Sequence, residues 1–174
     1  MKLILIRHGE PRYDEVIARG YPNQGYDLGK LTDLGVKQAI AVSKDKRLKG
    51  ATLIISSPYT RALQTAAVIS RLLNIELVVE NDLHEWMPDV DFSGQDVSGA
   101  YEEFIKYRGL NIPNKTVNWE NYDDLQKRVR NALLPYVDKH EKIIVVCHGI
   151  VMTTLTHFDD VIEHCGVREV EFSK

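Results

Sequence analysis

Cysteine is scarce in this 174-residue chain, and the two present, Cys147 and Cys165, have neither CxxC nor any other metal-ligand spacing. They read as reduced thiols rather than as a disulfide or a zinc clamp. Long hydrophobic runs are absent too. No apolar stretch approaches the ~20 residues that span a bilayer, and the run from Leu3 to Ile6 is too short for the core of a signal peptide. A soluble cytoplasmic protein without a membrane partner is the expectation. Nor is there a surplus of positive charge: 22 Lys and Arg stand against 25 Asp and Glu, a formal charge of -3. Such a chain has no global field to attract nucleic acid, so any recognition of phosphate has to be local. No internal repeat or low-complexity tract occurs, and the length suits one well-buried core, a single domain over 1–174. Composition sets no oligomeric state.

What is present is a set of short, branched apolar runs, Leu3–Ile6, Leu53–Ile55, Leu77–Val79 and Ile143–Val146. This is the pattern of strands buried on both faces, and it predicts a mainly parallel sheet. Between the runs lie helical periodicities. One starts after Thr32, a candidate N-cap, with Val36, Ala39, Ile40 and Ser43 on one side. Another covers Tyr59–Leu73 through Leu63, Ala66, Ala67, Ser70 and Leu73, and a third covers Tyr122–His140 through Leu125, Val129, Ala132, Leu133 and Tyr136. Pro135 should kink that last helix or end one of its turns. The predicted fold class is α/β, a three-layer sandwich of a mainly parallel central sheet flanked by helices. Residues 86–121, rich in Gly and Pro around one helical piece at Tyr101–Tyr107, read as an excursion from the sheet. Val167–Phe172 reads as a short edge strand.

Two strand ends carry the chemistry. Arg7-His8-Gly9 closes the first run and His148-Gly149 follows the last, and in an open parallel sheet the carboxyl ends of the strands face the ligand crevice. A single His at such an end often does no more than satisfy a backbone group; a second changes the reading. Between them, Ser56-Ser57-Pro58-Tyr59-Thr60-Arg61 passes from a strand end into a helix and brings Arg61 toward the same edge. Guanidinium forks bind phosphoryl oxygens bidentately and imidazoles donate or attack, so this set of groups fits a phosphoryl group.

The motifs Arg7-His8-Gly9-Glu10, Ser56-Ser57-x-x-x-Arg61-Ala62-x-x-Thr65-Ala66, Leu83-His84-Glu85 and His148-Gly149 resemble, in order, those of the histidine phosphatase superfamily, the phosphoglycerate-mutase-like fold. The resemblance implies that His8 is the phosphate-accepting nucleophile and that Arg7, Arg61 and His148 complete the phosphate pocket. It also implies that Glu85 is the general acid and then the base, with no cofactor and no metal. Asp89 and Asp91 are rivals to Glu85. A zinc site of His8, His148 and Glu85 is opposed by the flanking arginines, and His84, His140, His157 and His164 read as structural or exposed.

Departures bear on substrate. Asp14 stands where the family commonly has Asn, and a carboxylate there repels phosphate unless it turns away, is protonated, or pairs with Arg12 or Arg19. Pro11 replaces a hydroxyl residue at the pocket rim, and Gly25–Thr32 resembles the family's loop only loosely. After Glu85 the chain reads Trp86-Met87-Pro88-Asp89 rather than the substrate-binding basic run of the family's mutases. Hydrolysis of a small phosphorylated metabolite is therefore the expectation, with Trp86, Met87, Phe92 and aromatics of Tyr101–Tyr107 against its organic part. Lys106, Arg108 and Lys115 are weak candidates for a second anion site. Mutase-type transfer and a catalytically silent phospholigand domain are the alternatives.

Overall fold

The computed structural model describes residues 1–21 and 23–174, with the side chains of all of these except 23 and 24. The chain runs β1 (Lys2–Arg7), β2 (Pro11–Arg12), α1 (Asp14–Ala18), β3 (Lys30–Leu31), α2 (Asp33–Val42), β4 (Ile54–Ser56), α3 (Thr60–Leu73), β5 (Leu77–Val79), α4 (Ala100–Lys106), α5 (Tyr122–Leu133), β6 (Lys142–Cys147), α6 (Gly149–Thr153) and β7 (Val167–Glu171). Five strands make one sheet of order β5-β4-β6-β1-β7, and β2 pairs with β3 separately. All pairings in the larger sheet are parallel except that of β7 with β1. The fold is the predicted sandwich with a mainly parallel centre.

Side-chain alternation divides the core into two layers. Leu3, Leu5, Ile55, Ile143 and Val145 pack with Phe104, Trp119, Leu125 and Val129 on one face, while Ile4, Ile6, Ile54, Ile144 and Val146 meet Val42, Ala62, Ala66 and Ile69 on the other. Full burial of each large aliphatic side chain contributes about 1.5–3 kcal/mol, so these short runs hold the sheet between its helices. The expected strand Leu53–Ile55 falls one residue later, and Leu77–Val79 is an edge strand rather than a doubly covered one, with Val79 48% exposed.

Local signals set the helix ends. Thr32 caps α2, its Oγ1 accepting from Gly35 N at 2.9 Å. α3 ends at Asn74, which takes the left-handed conformation at φ 53°. α5 stops at Leu133, and Pro135 sits in a single 3-10 turn, Leu134–Tyr136. Two expected faces are corrected. α2 buries Gly35, Ala39 and Val42 and leaves Ile40 exposed. α3 buries Arg61, Ala62, Thr65, Ala66 and Ile69, while Ala67 faces solvent. The polar members of that buried face look toward the loop after β1, which a hydrophobic pattern does not register. Residues 86–121 hold α4 and the buried aromatic group Trp86, Phe104 and Trp119. No helix among the described residues is long and apolar enough to cross a membrane.

Candidate active site

Parallel pairing continues past the strand ends and fixes the floor of the site. His8 N donates to Cys147 O at 3.0 Å and Ser57 N to Val146 O at 2.9 Å, so His8, Ser57 and His148 leave the sheet at one edge. Gly9 is required here by a close approach. A Cβ on it would lie 2.6 Å from Gly35 O, and one on Gly35 would collide with the Glu10 carbonyl. The φ of Gly9 is not positive, so this backbone contact, and not a left-handed turn, is what requires glycine there. Thr65 completes the brace, accepting from Gly9 N at 3.0 Å and donating to Arg61 O at 2.8 Å.

The two imidazoles are polarised by these surroundings. His8 is buried, and its Nδ1 lies 2.7 Å from Gly9 O, an acceptor only, so Nδ1 carries the proton. Nε2 then holds the lone pair, toward which Arg61 Nε donates at 3.2 Å. Burial, with Arg61 and Arg7 alongside, lowers the His8 pKa to about 3, so the ring is neutral at ordinary pH. His148 lies with its ring centroid 5.2 Å from that of His8, and burial, then the nearby charges, hold it well below the usual imidazole range. Its Nε2 is 2.7 Å from Ser57 Oγ, which already accepts from Tyr59 N at 3.3 Å. The remaining proton of Ser57 is best used toward Nε2, which assigns the His148 proton to Nδ1.

That Nδ1 and Arg7 Nε are the buried side-chain polar atoms without a hydrogen-bond partner among the described residues. Arg7 is anchored by its Nη1, 2.5 Å from Ile162 O. Gly149 lies against it, a Cβ there reaching only ordinary contact at 3.6 Å from Nε. The edge thus presents one imidazole lone pair, an imidazole N–H and two guanidinium groups.

Glu85 closes the site from the other side. Its carboxylate accepts from Trp86 N at 2.8 Å and from Ile150 N and Val151 N at 3.3 Å each. Burial raises its pKa, and this outweighs the opposing backbone bonds and Arg61. A carboxyl whose acid form is favoured by burial, beside Arg61, can give or take a proton there. Asp89 does not compete on equal terms, because its oxygens are engaged by Ser93 and by Asp91 N within their own turn. Asp91 is exposed and accepts from Asn118.

Arg61 and Glu85 border a cavity of about 590 Å3 whose walls include Trp86, Met87 and Phe92. Trp86 is itself buried, with Nε1 donating to Glu120 O at 2.8 Å, so it offers a wall rather than a hydrogen bond. The structure does not bring Asp14 to this group. Its carboxylate is exposed and gripped by Arg12, which pulls its pKa down to about 2. Arg108 pairs with Asp159 and Lys115 bonds Trp119 O and Asn121, while Lys106 lines a separate cavity of about 890 Å3 that touches Arg7 and Glu85. His8, His148 and Glu85 form no metal-ligand cluster, and no other His, Cys, Asp or Glu group among the described residues does so.

Sequence reasoning missed several members. His84, read as structural or exposed, borders the cavity, and its ring stacks on Tyr59 at 6.1 Å. His164 approaches His8 at 5.7 Å between ring centroids. Asp27 also lines the cavity. The loop containing Asp27 carries no spacing signal, although Tyr59 lies inside a motif.

Comparison with known proteins places the chain in a family. Residues 3–159 match the family model of the histidine phosphatase superfamily, branch 1. A protein of Hydrogenobacter thermophilus named "Putative phosphoserine phosphatase 2" is 30% identical over 153 residues, 85% of this chain and 73% of that protein. The "Probable phosphoglycerate mutase GpmB" of Proteus mirabilis is 34% identical over 163 residues, covering 89% and 73%. A mycobacterial glucosyl-3-phosphoglycerate phosphatase, solved with VO3, shares the fold at TM-score 0.72 and 20% identity over 97% of this chain and 90% of that one. The chain belongs to the histidine phosphatase superfamily and is a phosphoric monoester hydrolase working through a phosphohistidine.

Proposed function

We propose that His8 is the residue phosphorylated, within a single catalytic unit over 1–174 acting on a small phosphorylated metabolite in the cytoplasm. The observation that carries this is the tautomer of His8: Nδ1–H held by Gly9 O, and the Nε2 lone pair beside the Arg61 guanidinium. In the first step Nε2 bonds to phosphorus and the ester P–O bond breaks, with Glu85 giving its proton to the departing oxygen. Arg7, Arg61 and the Nδ1–H of His148 neutralise the phosphoryl oxygens, a role for which the unpartnered Arg7 Nε and His148 Nδ1 are suited. In the second step Glu85 takes a proton from water, whose oxygen bonds to phosphorus as the N–P bond breaks, releasing phosphate and neutral His8.

Mutase-type transfer is favoured by the likeness to proteins named as probable phosphoglycerate mutases, that of Proteus mirabilis among them. It needs a second anion site, whereas Arg61 is the only permanent cation among the described residues lining the cavity it shares with Glu85. The test is alkaline quench during turnover followed by mass spectrometry. Phosphate is expected on His8, and His8→Ala should retain less than about one thousandth of the aryl phosphatase rate. Excess chelator should leave the wild-type rate unchanged. Label on a different residue, or full activity in His8→Ala, overturns the proposal; no turnover in the wild type favours the silent-domain alternative.

A further inference from the structure

Asp27 is a carboxylate that the hydrolysis does not use. It lies in the 3-10 segment Asn23–Leu28, is partly buried, and lines the same cavity of about 590 Å3 as Arg61 and Glu85. The Tyr59 side chain lies beside it on the same cavity wall. Tyr59 is in turn fixed on three sides: its ring is edge-on to His148 at 5.2 Å, near the Arg61 guanidinium at 5.1 Å, and stacked with His84 at 6.1 Å. Asp27 is therefore presented by an aromatic bracket that rests on the phosphate pocket. An ionised carboxylate has about four acceptor sites.

The charges around Asp27 decide what it can take. Arg61 faces it, but this guanidinium also touches the attacking nitrogen of His8, so it is committed to the phosphoryl group. Arg61 and Glu85, the acid proposed to meet the leaving oxygen, both line the cavity that holds Asp27, so an alcohol departing there, rather than into the cavity that Arg7, Glu85 and Lys106 line, meets Asp27. Glu85 and Asp89 are the other acids there, and His84 is kept toward its neutral form by burial and by Arg128. Beyond the phosphoryl position the lining is thus apolar and acidic, without a second permanent cation among the described residues. A leaving alcohol with a second phosphate or a carboxylate meets Asp27 uncompensated, and one with an ammonium group is paired by it.

We propose that Asp27 is a specificity-determining residue that holds a protonated amine on the leaving alcohol, making phosphorylated amino alcohols the preferred substrates over esters with a second anion. This rests on the hydrolysis through His8 and names its substrate class. Burial raises the Asp27 pKa to about 6, so the preference should be present at pH 8 and weaken as the pH falls through that value and the carboxylate takes up a proton.

The experiment compares kcat/KM at pH 8 for three two- or three-carbon esters differing in terminal charge: O-phosphoethanolamine, propyl phosphate and 2-phosphoglycolate. The expected order is amine, neutral, anion, with at least about tenfold between first and second, the size of a modest charge-assisted hydrogen bond. Asp27→Asn should bring the amine-to-neutral ratio to within about threefold. As a second readout, His8→Ala, which cannot turn over, should bind O-phosphoethanolamine more tightly than propyl phosphate at pH 8, with the difference shrinking at pH 5. In His8→Ala/Asp27→Asn the difference should be absent at both pH values. Equal kcat/KM values for amine and neutral esters, with phosphohistidine still formed on His8, overturn the role of Asp27 and leave the hydrolysis standing. An unchanged ratio in Asp27→Asn does the same. Absence of phosphohistidine from every ester overturns the hydrolysis through His8, and the role of Asp27 with it.

Discussion

The floor of the site is made from three strand ends whose side chains brace one another, whereas its walls come from the segment Asn23–Leu28 and the irregular run that follows Leu83. On the floor, hydrogen bonds tie His8 to Cys147, Ser57 to Val146, Gly9 to Thr65 and His148 to Ser57, so the nitrogen proposed to attack and the groups proposed to hold phosphate are set by the sheet itself. The walls are set by aromatic packing, with Trp86 against Phe104 at 4.8 Å and Tyr59 against His148. Phosphoryl charge is common to every monoester and suits a rigid floor; the alcohol varies and meets the walls. Substitutions in the floor should therefore impair all substrates alike, and substitutions in the walls should separate them.

The largest effect is expected from Arg61→Ala. The guanidinium meets the same developing phosphoryl charge whatever the leaving group, so the phosphorylation burst should fall about 10²–10³-fold for an alkyl and an aryl phosphate equally. Rapid-quench bursts on both substrates check this. A loss restricted to the alkyl ester would move Arg61 from the floor to the walls.

Glu85 spans the two regions and should show an intermediate pattern. A poor alkoxide needs its proton, and a phenolate of low pKa leaves with little help, so Glu85→Gln should slow the alkyl burst about 10²-fold while largely sparing the aryl burst. The pH dependence has a definite sign. Burial raises the Glu85 pKa, and the acid form is required, so the alkyl burst should fall as pH rises through that value in the wild type and be flat in Glu85→Gln. Equal losses for alkyl and aryl esters would remove Glu85 as the leaving-group acid and return Asp89 and Asp91 to contention.

The same division explains what was legible in the sequence. Strands covered on both faces read as apolar runs, so the floor could be placed from Leu3–Ile6 and Ile143–Val146 with the residues that end them. Thr32 was legible as a cap because its partner, Gly35 N, is local. The faces of α2 and α3 were read a position or so out of phase, since α3 buries Arg61 and Thr65 for the sake of the loop after β1 rather than for hydrophobic contact. Asp27, Tyr59 and His84 were not assigned, because they meet across loops without periodicity and their proximity is a product of tertiary packing. Asp14 stands out in the sequence as a departure, but only the structure shows it held away by Arg12.

The smallest effect concerns a residue that touches the floor without touching the phosphoryl group. Ser57 is fully buried, and its hydroxyl bridges Tyr59 N and His148 Nε2. If its proton goes to Nε2, it keeps the His148 proton on Nδ1, where it can reach a phosphoryl oxygen. Ser57→Ala would free Nε2 to compete for that proton, so a fraction of molecules would present a lone pair instead of a donor. The expected cost is about tenfold in the burst, equal for alkyl and aryl esters, together with about 1–3 kcal/mol of stability from the buried group left unpaired. Ser57→Thr, which keeps the hydroxyl, should restore most of the rate if the added methyl is accommodated. The signature that a packing defect alone would not give is the tautomer: 15N shifts of His148 should report Nδ1–H in the wild type and a mixture in Ser57→Ala. Finding Nε2–H in the wild type would make Ser57 an acceptor from both neighbours and leave His148 Nδ1 a lone pair facing the phosphate, in which case His148 would have to be protonated on substrate binding to serve the floor at all.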